Sequence, residues 1–328
     1  MLRIGIAGCG LAARTHLARL LAIDGVRVVG CADPDPAAAR ALADLVPAGP
    51  DGPSPTFADH KELLGAVTPD ALAIFTPHRR HYRIAMDALQ AGCHVFIERP
   101  LSIDVQEAAD VIGLARGRKR KVGVGHQYRL RPSLVEARRR VLDGAIGPLR
   151  LVQATLAAPW LAAHGGAEDA WRFDAKATGG GILFDAGDHL VDALLWTTGR
   201  SAVEVAAIQV RHDSGADVVT AAALRLADGT PATLGISGVS PGTIFALTYF
   251  GERGRLRATA DSLIEEPAAG PGVEVALPAR AEDIDGNFVA AVTGDAPLCC
   301  PADQALETVR LLEAIGRAGA SGQVVRLA

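Results

Sequence analysis

The chain has 328 residues, of which 49% are hydrophobic and 21% charged, and its formal net charge is −4. This length is sufficient for two domains with separate cores, and the composition is that of an ordinary globular protein. The small negative charge excludes a general electrostatic affinity for nucleic acid or for an anionic membrane, so neither is predicted as a partner. We interpret the one basic run, residues 116–121, as a solvated helix end.

The five cysteines form no C-x-x-C pair, and their odd number fits a reducing compartment better than a disulfide framework. Residues 1–3 lead directly into a strand-like segment, which gives no indication of a signal peptide. No apolar run approaches the roughly 20 residues that a membrane-spanning helix needs. These features predict a cytoplasmic protein.

The first 33 residues have the pattern of a dinucleotide-binding fold. A buried strand over 3–7 is followed by the turn Gly8-Cys9-Gly10-Leu11-Ala12-Ala13, a helix through residue 21, and a second strand over 26–32. Gly8 suits the tight turn, Gly10 allows a pyrophosphate to approach the backbone, and Ala13 is small enough for the helix to pack on the strand. The helix N-terminus would face the phosphates.

The second strand ends at Asp33, where a carboxylate could accept hydrogen bonds from the adenosine ribose hydroxyls. A carboxylate at this position repels a 2′-phosphate. NAD is therefore the predicted cofactor, and NADP is disfavoured.

Strands and helices continue to alternate up to residue 125. Strands are predicted over 71–75, 94–97 and 122–125, and helices over 36–45, 59–64, 81–91 and 105–116. This alternation predicts an α/β domain with a doubly wound parallel sheet, whose ligands lie at the carboxyl ends of the strands. Thr76-Pro77 and Glu98-Arg99-Pro100 follow two of these strands directly.

Beyond residue 125 the pattern changes to longer alternating segments, over 148–157, 203–211, 218–226, 230–237, 243–251 and 254–260. Turn residues such as Asp228-Gly229 and Pro241-Gly242 separate them, which favours a mostly antiparallel sheet. We therefore predict a dinucleotide-binding Rossmann domain over residues 1–124. An α+β domain for substrate binding and oligomerisation is predicted over residues 125–328.

The segment Gly179–Asp192 contains the strongest candidate for chemistry. Asp185, His189 and Asp192 follow three glycines at i, i+4 and i+7, which places them on one face of a helix predicted over 181–198. Histidine titrates near neutral pH, and a carboxylate one turn away can fix its tautomer and stabilise its protonated form. The glycines would allow another backbone or a ligand to approach the start of this helix.

Two other interpretations of this helix remain open at the level of sequence. Its polar residues could form a solvated face opposite an apolar stripe of leucines. Asp185, His189 and Asp192 could also ligate zinc, although hydride transfer to nicotinamide needs no metal and no cysteine pair lies nearby. We therefore predict no metal.

The motifs together resemble the Gfo/Idh/MocA family of two-domain oxidoreductases, named after glucose-fructose oxidoreductase, inositol dehydrogenase and rhizopine catabolism. The matching segments run in order along nearly the whole chain: Gly8-x-Gly10-x-x-Ala13-x-x-His16, Asp33-Pro34, Thr76-Pro77-His78-x-x-His81, Ala91–Pro100, Gly179–Asp192, Asn287-Phe288, Gly294–Pro297 and Ser321–Val325. The resemblance implies a hydride transfer between a nicotinamide dinucleotide and a sugar, inositol or related polyol. It also implies a homodimer or homotetramer that meets through the open face of the second sheet.

The resemblance implies roles for individual residues. Asp185 and His189 would be the catalytic acid/base pair, with Arg99 beside the reacting hydroxyl. The implied cofactor contacts are Gly8, Gly10, Leu11, Ala13, Asp33, Thr76, Pro77, His78, His81, Glu98, Trp171 and Arg172. The implied substrate contacts are His126, Tyr128, Arg129 and Asp188, and for most of these a structural role competes with the ligand role.

Arg99 departs from the family pattern, which usually has lysine between that glutamate and proline. Arginine keeps its charge at any working pH, so it can stabilise a developing alkoxide but cannot act as a base. Two further functions therefore stay open. One is a dinucleotide-binding sensor that has lost the redox reaction, and the other is an NAD-dependent glycosidase or eliminase that oxidises a sugar carbon transiently.

Overall fold

The computed structural model describes residues 1–50, 52–164, 171–279, 282–294 and 296–327. These residues form two compact units. The first contains Met1–Ser102, Gln106–Gly125 and Glu282–Ala305, and the second contains Ile103–Val105, His126–Ala281 and Leu306–Ala328. The predicted functional boundary after residue 124 stays a prediction, and the structure adds a late segment, residues 282–305, to the first unit.

Strands and helices alternate in the first part of the chain, whereas the strands over residues 202–274 follow one another without a helix between them. The strands are β1 Leu2–Ala7, β2 Val26–Ala32, β3 Thr56–Phe57, β4 Ala71–Ile74, β5 His94–Ile97, β6 Val122–Val124, β7 Leu149–Ala157, β8 Ala202–Arg211, β9 Asp217–Leu226, β10 Pro231–Ser237, β11 Ile244–Gly251, β12 Gly254–Thr259, β13 Leu263–Pro267, β14 Val273–Glu274 and β15 Val325–Arg326. The helices are α1 Leu11–Leu20, α2 Pro36–Ala43, α3 His60–Val67, α4 His81–Gln90, α5 Val105–Arg118, α6 Pro132–Leu142, α7 Trp160–Ala163, α8 Ala175–Thr178, α9 Ala186–Thr198, α10 Ile284–Thr293 and α11 Ala302–Ser321. Across the described ranges, no helix combines the length and the hydropathy that a membrane span requires.

The first unit contains a parallel six-stranded sheet in the order β3-β2-β1-β4-β5-β6. The central strands are buried on both faces, as at Ile4, Ile6, Leu72 and Ile74. This burial is typical of parallel sheets, whose crossover helices cover both sides. The predicted doubly wound parallel sheet is confirmed. The edge strand β3, only two residues long, was not predicted.

The second unit contains a nine-stranded sheet in the order β14-β13-β12-β11-β7-β10-β9-β8-β15. All neighbouring strands are antiparallel except β7 and β10. Helix α9 packs against α6 and β7, and apolar side chains of these elements form one continuous core. The predicted α+β class with a mostly antiparallel sheet is confirmed, although helix α6 and the short strands β13, β14 and β15 were not predicted.

The helix that carries the candidate acid/base residues begins at Ala186, so the predicted start at residue 181 was wrong. The reason is the approach of strand β9 to the glycines. Ile182 N–H donates to the backbone carbonyl of Asp217 at 2.9 Å, and Leu183 N–H donates to its carboxylate at 3.0 Å. A Cβ added to Gly181 would overlap the Asp217 carbonyl oxygen. The glycines therefore admit another backbone, which was one of the two predicted possibilities.

Gly181→Ala should destabilise the second unit by about 1–3 kcal/mol, because the new methyl group must displace the backbone of β9. The matched control is Gly316→Ala in helix α11, where an added Cβ meets nothing within 4 Å. Replacing that helical glycine should stabilise the protein by about 0.5–1 kcal/mol. Chemical denaturation of both variants measures the difference, and equal stabilities would contradict the close approach.

Candidate active site

The glycine turn of the first unit has the geometry of an anion-binding turn. Gly8 has a φ of +88°, and a Cβ there would lie 2.6 Å from the backbone carbonyl of Phe75. A Cβ on Gly10 would meet nothing within 4 Å, so space is open beside this residue. Ala13 is fully buried, whereas Leu11 is 83% exposed. The first turn of α1 has no side-chain cap and no acidic residue, so its N–H groups suit a phosphate.

The carboxylate of Asp33 is held at the end of β2 by two backbone donors. Cys9 N–H donates to Oδ2 at 2.8 Å, and Asp35 N–H donates to Oδ1 at 2.9 Å. One donor comes from the glycine turn and the other from the start of α2, so the carboxylate orientation is tied to both segments. Each oxygen retains a lone pair that can accept a ribose hydroxyl.

His81 connects the two segments that follow β4 and β5. Its side chain is fully buried, with Nδ1 2.7 Å from the carbonyl oxygen of Pro100 and Nε2 2.8 Å from that of Thr76. Burial lowers the pKa of His81, although the two carbonyl oxygens act in the opposite direction. His81 therefore fixes Thr76-Pro77 relative to Glu98-Arg99-Pro100. His78 is also buried, with its ring 5.7 Å from the His81 ring.

Glu98 belongs to a partly buried chain of charges that reaches helix α10. His16 Nδ1 lies 2.7 Å from Asp285 Oδ1, and its Nε2 lies 3.6 Å from Glu98 Oε2. Burial lowers the pKa of His16, but the two carboxylates outweigh it and raise the pKa to about 9. Arg99 Nε lies 3.6 Å from Glu98 Oε1, so its guanidinium is the next charge in this chain.

In the second unit, Asp185 precedes helix α9 as its N-cap residue, with a φ of −84° and a ψ of −101°. Its Oδ2 accepts hydrogen bonds from Trp160 Nε1 at 2.7 Å and from Arg172 at 2.6 Å. Arg172 also lies over the ring of Trp171, with Cζ 4.6 Å from the ring centroid. The predicted helical position of Asp185 on the face of His189 and Asp192 is therefore corrected to the capping position.

The polar residues of α9 are inside the protein. Exposure is 3% for Asp185, 0% for Asp188, 8% for His189 and 1% for Asp192. The interpretation of these residues as a solvated face is wrong. Because a buried charge is stable only with a partner, each of these side chains needs a hydrogen-bond or ion-pair partner within the protein.

A second set of ion pairs surrounds the middle of α9. His126 Nε2 lies 2.9 Å from Asp188 Oδ2, and its Nδ1 lies 3.4 Å from Asp192 Oδ1. Arg129 donates to both carboxylate oxygens of Asp192, at 2.9 and 2.7 Å, and Thr308 donates to it at 3.2 Å. The carboxylates of Asp185 and Asp192 thus pair with different arginines. This arrangement disfavours the open alternative of one shared metal site.

Several residues of this region escaped sequence analysis. They are Trp160 beside Asp185, Asp217 beside the glycines, Asp285 beside His16, and Thr308 beside Asp192. Each lies 25 or more residues from its partner in the chain. No local spacing could have revealed them.

Two family profiles match the chain. Residues 2–126 match the profile described as the oxidoreductase family with an NAD-binding Rossmann fold, and residues 134–257 match the GFO/IDH/MocA C-terminal domain. The chain belongs to the Gfo/Idh/MocA oxidoreductase family. The family predicted from the sequence motifs is confirmed.

The Gfo/Idh/MocA relatives of this chain include several sugar dehydrogenases. The D-glucoside 3-dehydrogenase of Escherichia coli is 27% identical over 62% of this chain and 56% of its own length. The UDP-N-acetylglucosamine 3-dehydrogenase of Acidithiobacillus ferrooxidans is 29% identical over 73% of this chain and 67% of its own length. The chain thus spans little more than half of the first relative. The WlbA dehydrogenase of Bordetella pertussis, solved with NADH and UDP-GlcNAcA, shares the fold at 22% identity, with a TM-score of 0.87 over 100% of this chain and 99% of that chain.

The raised pKa of His16 predicts how the stability of this family member depends on pH. A folded pKa of about 9, against an ordinary value of 6.5, means that protonation favours the folded state. The contribution, up to about 3 kcal/mol, is complete below pH 6.5 and is lost as the pH rises through about 9. Chemical denaturation from pH 6 to 10 should show this loss in the wild type and not in His16→Gln. Parallel stability curves for the two proteins would contradict it.

Proposed function

We propose that this chain is an NAD-dependent oxidoreductase that transfers a hydride between nicotinamide and a secondary alcohol of a sugar, inositol or related polyol. His189 serves as the acid/base. The observation that carries the proposal is the start of helix α9, where His189 follows an N-cap carboxylate and lies among buried, paired charges. An acid/base group needs such an environment, because neighbouring charges and burial tune its proton affinity.

Four features of the first unit support cofactor binding. The space beside Gly10, the uncapped N-terminus of α1 and the exposed Leu11 suit a pyrophosphate and the groups attached to it. Asp33 suits the adenosine ribose hydroxyls. Its fixed carboxylate also supports NAD over NADP, because a 2′-phosphate would meet an immobile negative charge.

The other cofactor contacts are assigned in two groups. Thr76, Pro77, His78 and Glu98 would line the ribose and nicotinamide, and Trp171 and Arg172 would serve the same end of the cofactor. His81, whose ring nitrogens face backbone carbonyls, contributes by holding two of these segments in place. When bound, the nicotinamide ring supplies the carbon that accepts or donates the hydride.

The proton steps fall to the chain's own residues. Asp185, fixed by Trp160 and Arg172, orients the reacting hydroxyl, and His189 removes its proton. Arg99 stabilises the developing negative charge on oxygen but keeps its own protons. The predicted substrate contacts His126, Arg129 and Asp188 would support the substrate pocket without binding the substrate directly. Their charged groups already pair with one another or with Asp192.

We also propose a homodimer or homotetramer that meets through the open face of the nine-stranded sheet. The face opposite α9 carries small and apolar side chains, among them Ile208 at 76% and Val210 at 55% exposure. Neighbouring positions on the same face include Ala206, Ala221, Ala223 and Thr233, which leave a flat surface. An exposed apolar surface of this kind marks a protein interface.

His189→Asn should lower kcat by at least about 100-fold and leave the affinity for NAD nearly unchanged, because only the proton acceptor is removed. The matched control is His212→Asn, at an exposed histidine of the same unit. NADH formation measures turnover, and calorimetry measures NAD binding. Preserved turnover in His189→Asn would exclude this residue as the acid/base.

A screen of sugars and polyols with NAD and NADP in parallel separates the open functions. Accumulating NADH supports the dehydrogenase. Cleavage or elimination without accumulation indicates transient oxidation. Binding of the dinucleotide without turnover of any substrate indicates a sensor.

Ile208→Glu should convert the oligomer to a monomer, because the new charge would be buried in the proposed interface. Leu142→Glu is the control, since Leu142 is an exposed leucine of helix α6 and lies outside the sheet. Light scattering after size-exclusion chromatography gives both masses. A monomeric wild type, or an unchanged mass in Ile208→Glu, would contradict the proposed interface.

A further inference from the structure

The imidazole of His189 lies flat against the ring of Tyr128. The two ring centroids are 4.3 Å apart and the planes differ by 7°. Arg131 also stacks on Tyr128, with Cζ 4.0 Å from its ring centroid. Since two groups cannot both occupy one ring face at about 4 Å, Arg131 must lie on the face opposite His189. The resulting order is Arg131, Tyr128, His189.

The stack is fixed at its outer side by the sheet. Phe245 of strand β11 meets Tyr128 edge-on at 4.7 Å. Arg131 donates to the carbonyl oxygen of Ala260 at 3.2 Å and lies 3.6 Å from the carboxylate of Asp261. Rotation of the Tyr128 ring would therefore disturb contacts on both of its faces and on its edge.

The same stack is fixed to helix α9. Tyr128 and Arg129 belong to one 3₁₀ turn, Gln127–Leu130, and Arg129 binds both carboxylate oxygens of Asp192. Asp192 lies one turn beyond His189 on α9. The turn that carries Tyr128 and the helix that carries His189 are thus joined by a two-point ion pair as well as by the stack.

Charged groups approach His189 from several elements. Arg131 lies behind Tyr128, and His126, which pairs with Asp188 and Asp192, has its ring 6.4 Å from the His189 ring. Asp185 and Arg172 lie at the start of the helix. The N-terminal turn of α9 disfavours a positive imidazolium, whereas the π face of Tyr128 favours it. The aromatic contact thus opposes the helix dipole at this position.

We propose that Tyr128, backed by Arg131, is a positioning residue that fixes the plane of the His189 imidazole for proton transfer. The proposal rests on the proposed role of His189. It also narrows the predicted substrate contact of Tyr128, because both faces of its ring are occupied and cannot stack on a sugar. Its hydroxyl is the part of the side chain left for such a contact.

Kinetics provide the first test. Tyr128→Leu should lower kcat by about 10-fold to 100-fold, because the imidazole loses its fixed orientation, while KM and the affinity for NAD change little. The pH profile of kcat should shift, because the π face no longer supports the imidazolium. Tyr128→Phe should restore most of the lost kcat, since phenylalanine keeps the ring. Tyr82→Leu, in the first unit, is the control for the loss of a tyrosine.

Histidine NMR provides a test independent of activity. In protein labelled at histidine Cε1, the His189 resonance is assigned by its disappearance in His189→Asn. Tyr128→Leu should move this resonance downfield, because the ring current above the imidazole is lost, and Tyr128→Phe should leave it near the wild-type position. If Tyr128→Leu does not fold, Arg131→Met removes the partly exposed outer group of the stack and should lower kcat to a smaller extent and move the resonance slightly.

The outcomes are distinct. A displaced resonance with a lower kcat supports the proposal. An unmoved resonance in both Tyr128→Leu and Arg131→Met overturns the stack, and a displaced resonance with unchanged kcat and pH profile overturns its positioning role. Full activity of His189→Asn would instead overturn the proposed function, and it would do so whatever the NMR spectra show.

Discussion

Helix α9 is buried on nearly every side, so each of its charged side chains requires a partner inside the protein. Asp185 takes Trp160 and Arg172, Asp188 takes His126, and Asp192 takes Arg129. These partners come from three different segments of the chain, since His126 and Arg129 belong to the same turn. Removing one member would leave a buried charge without compensation, which costs more than the pair contributes as a whole.

In the first unit too, buried charged side chains require partners, and there positive and negative side chains alternate. Arg19 lies 3.3 Å from Asp285, which pairs with His16, and His16 in turn faces Glu98 beside Arg99. The imidazole of His16 also contacts the rings of Phe75 and Phe96, with ring centroids 4.7 and 5.3 Å away. His16 and Asp285 are buried, which strengthens the electrostatic contact between them, whereas Arg19, Glu98 and Arg99 are partly exposed. Helix α10, distant in sequence, is thus tied to the segment that ends β5.

The sequence predicted those features that depend on local spacing. The strand over 26–32 was placed at its observed bounds, because Gly25 and Asp33 stand directly before and after it in the sequence. The start of α9 was misplaced, because i, i+4 spacing cannot distinguish a capping aspartate from a helical one. Gly181 has no room for a side chain because the backbone of Asp217 approaches it, and Asp217 lies more than 30 residues further along the chain. The Tyr128 stack escaped prediction for the same reason, since only the fold places that turn against α9.

Arg99 limits the chemistry that its own position can supply. A guanidinium holds its protons at any working pH, so no proton can pass through it. The positive charge of Arg99 is also partly balanced by Glu98, which lies beside it. Glu98 interacts with the protonated His16 as well. Loss of the His16 proton above pH 9 would remove a positive charge that balances Glu98, and Glu98 would then offset more of the charge of Arg99. In the proposed mechanism, proton transfer depends on the orientation of the His189 imidazole, whereas the balance of charge around Arg99 depends on the protonation of His16.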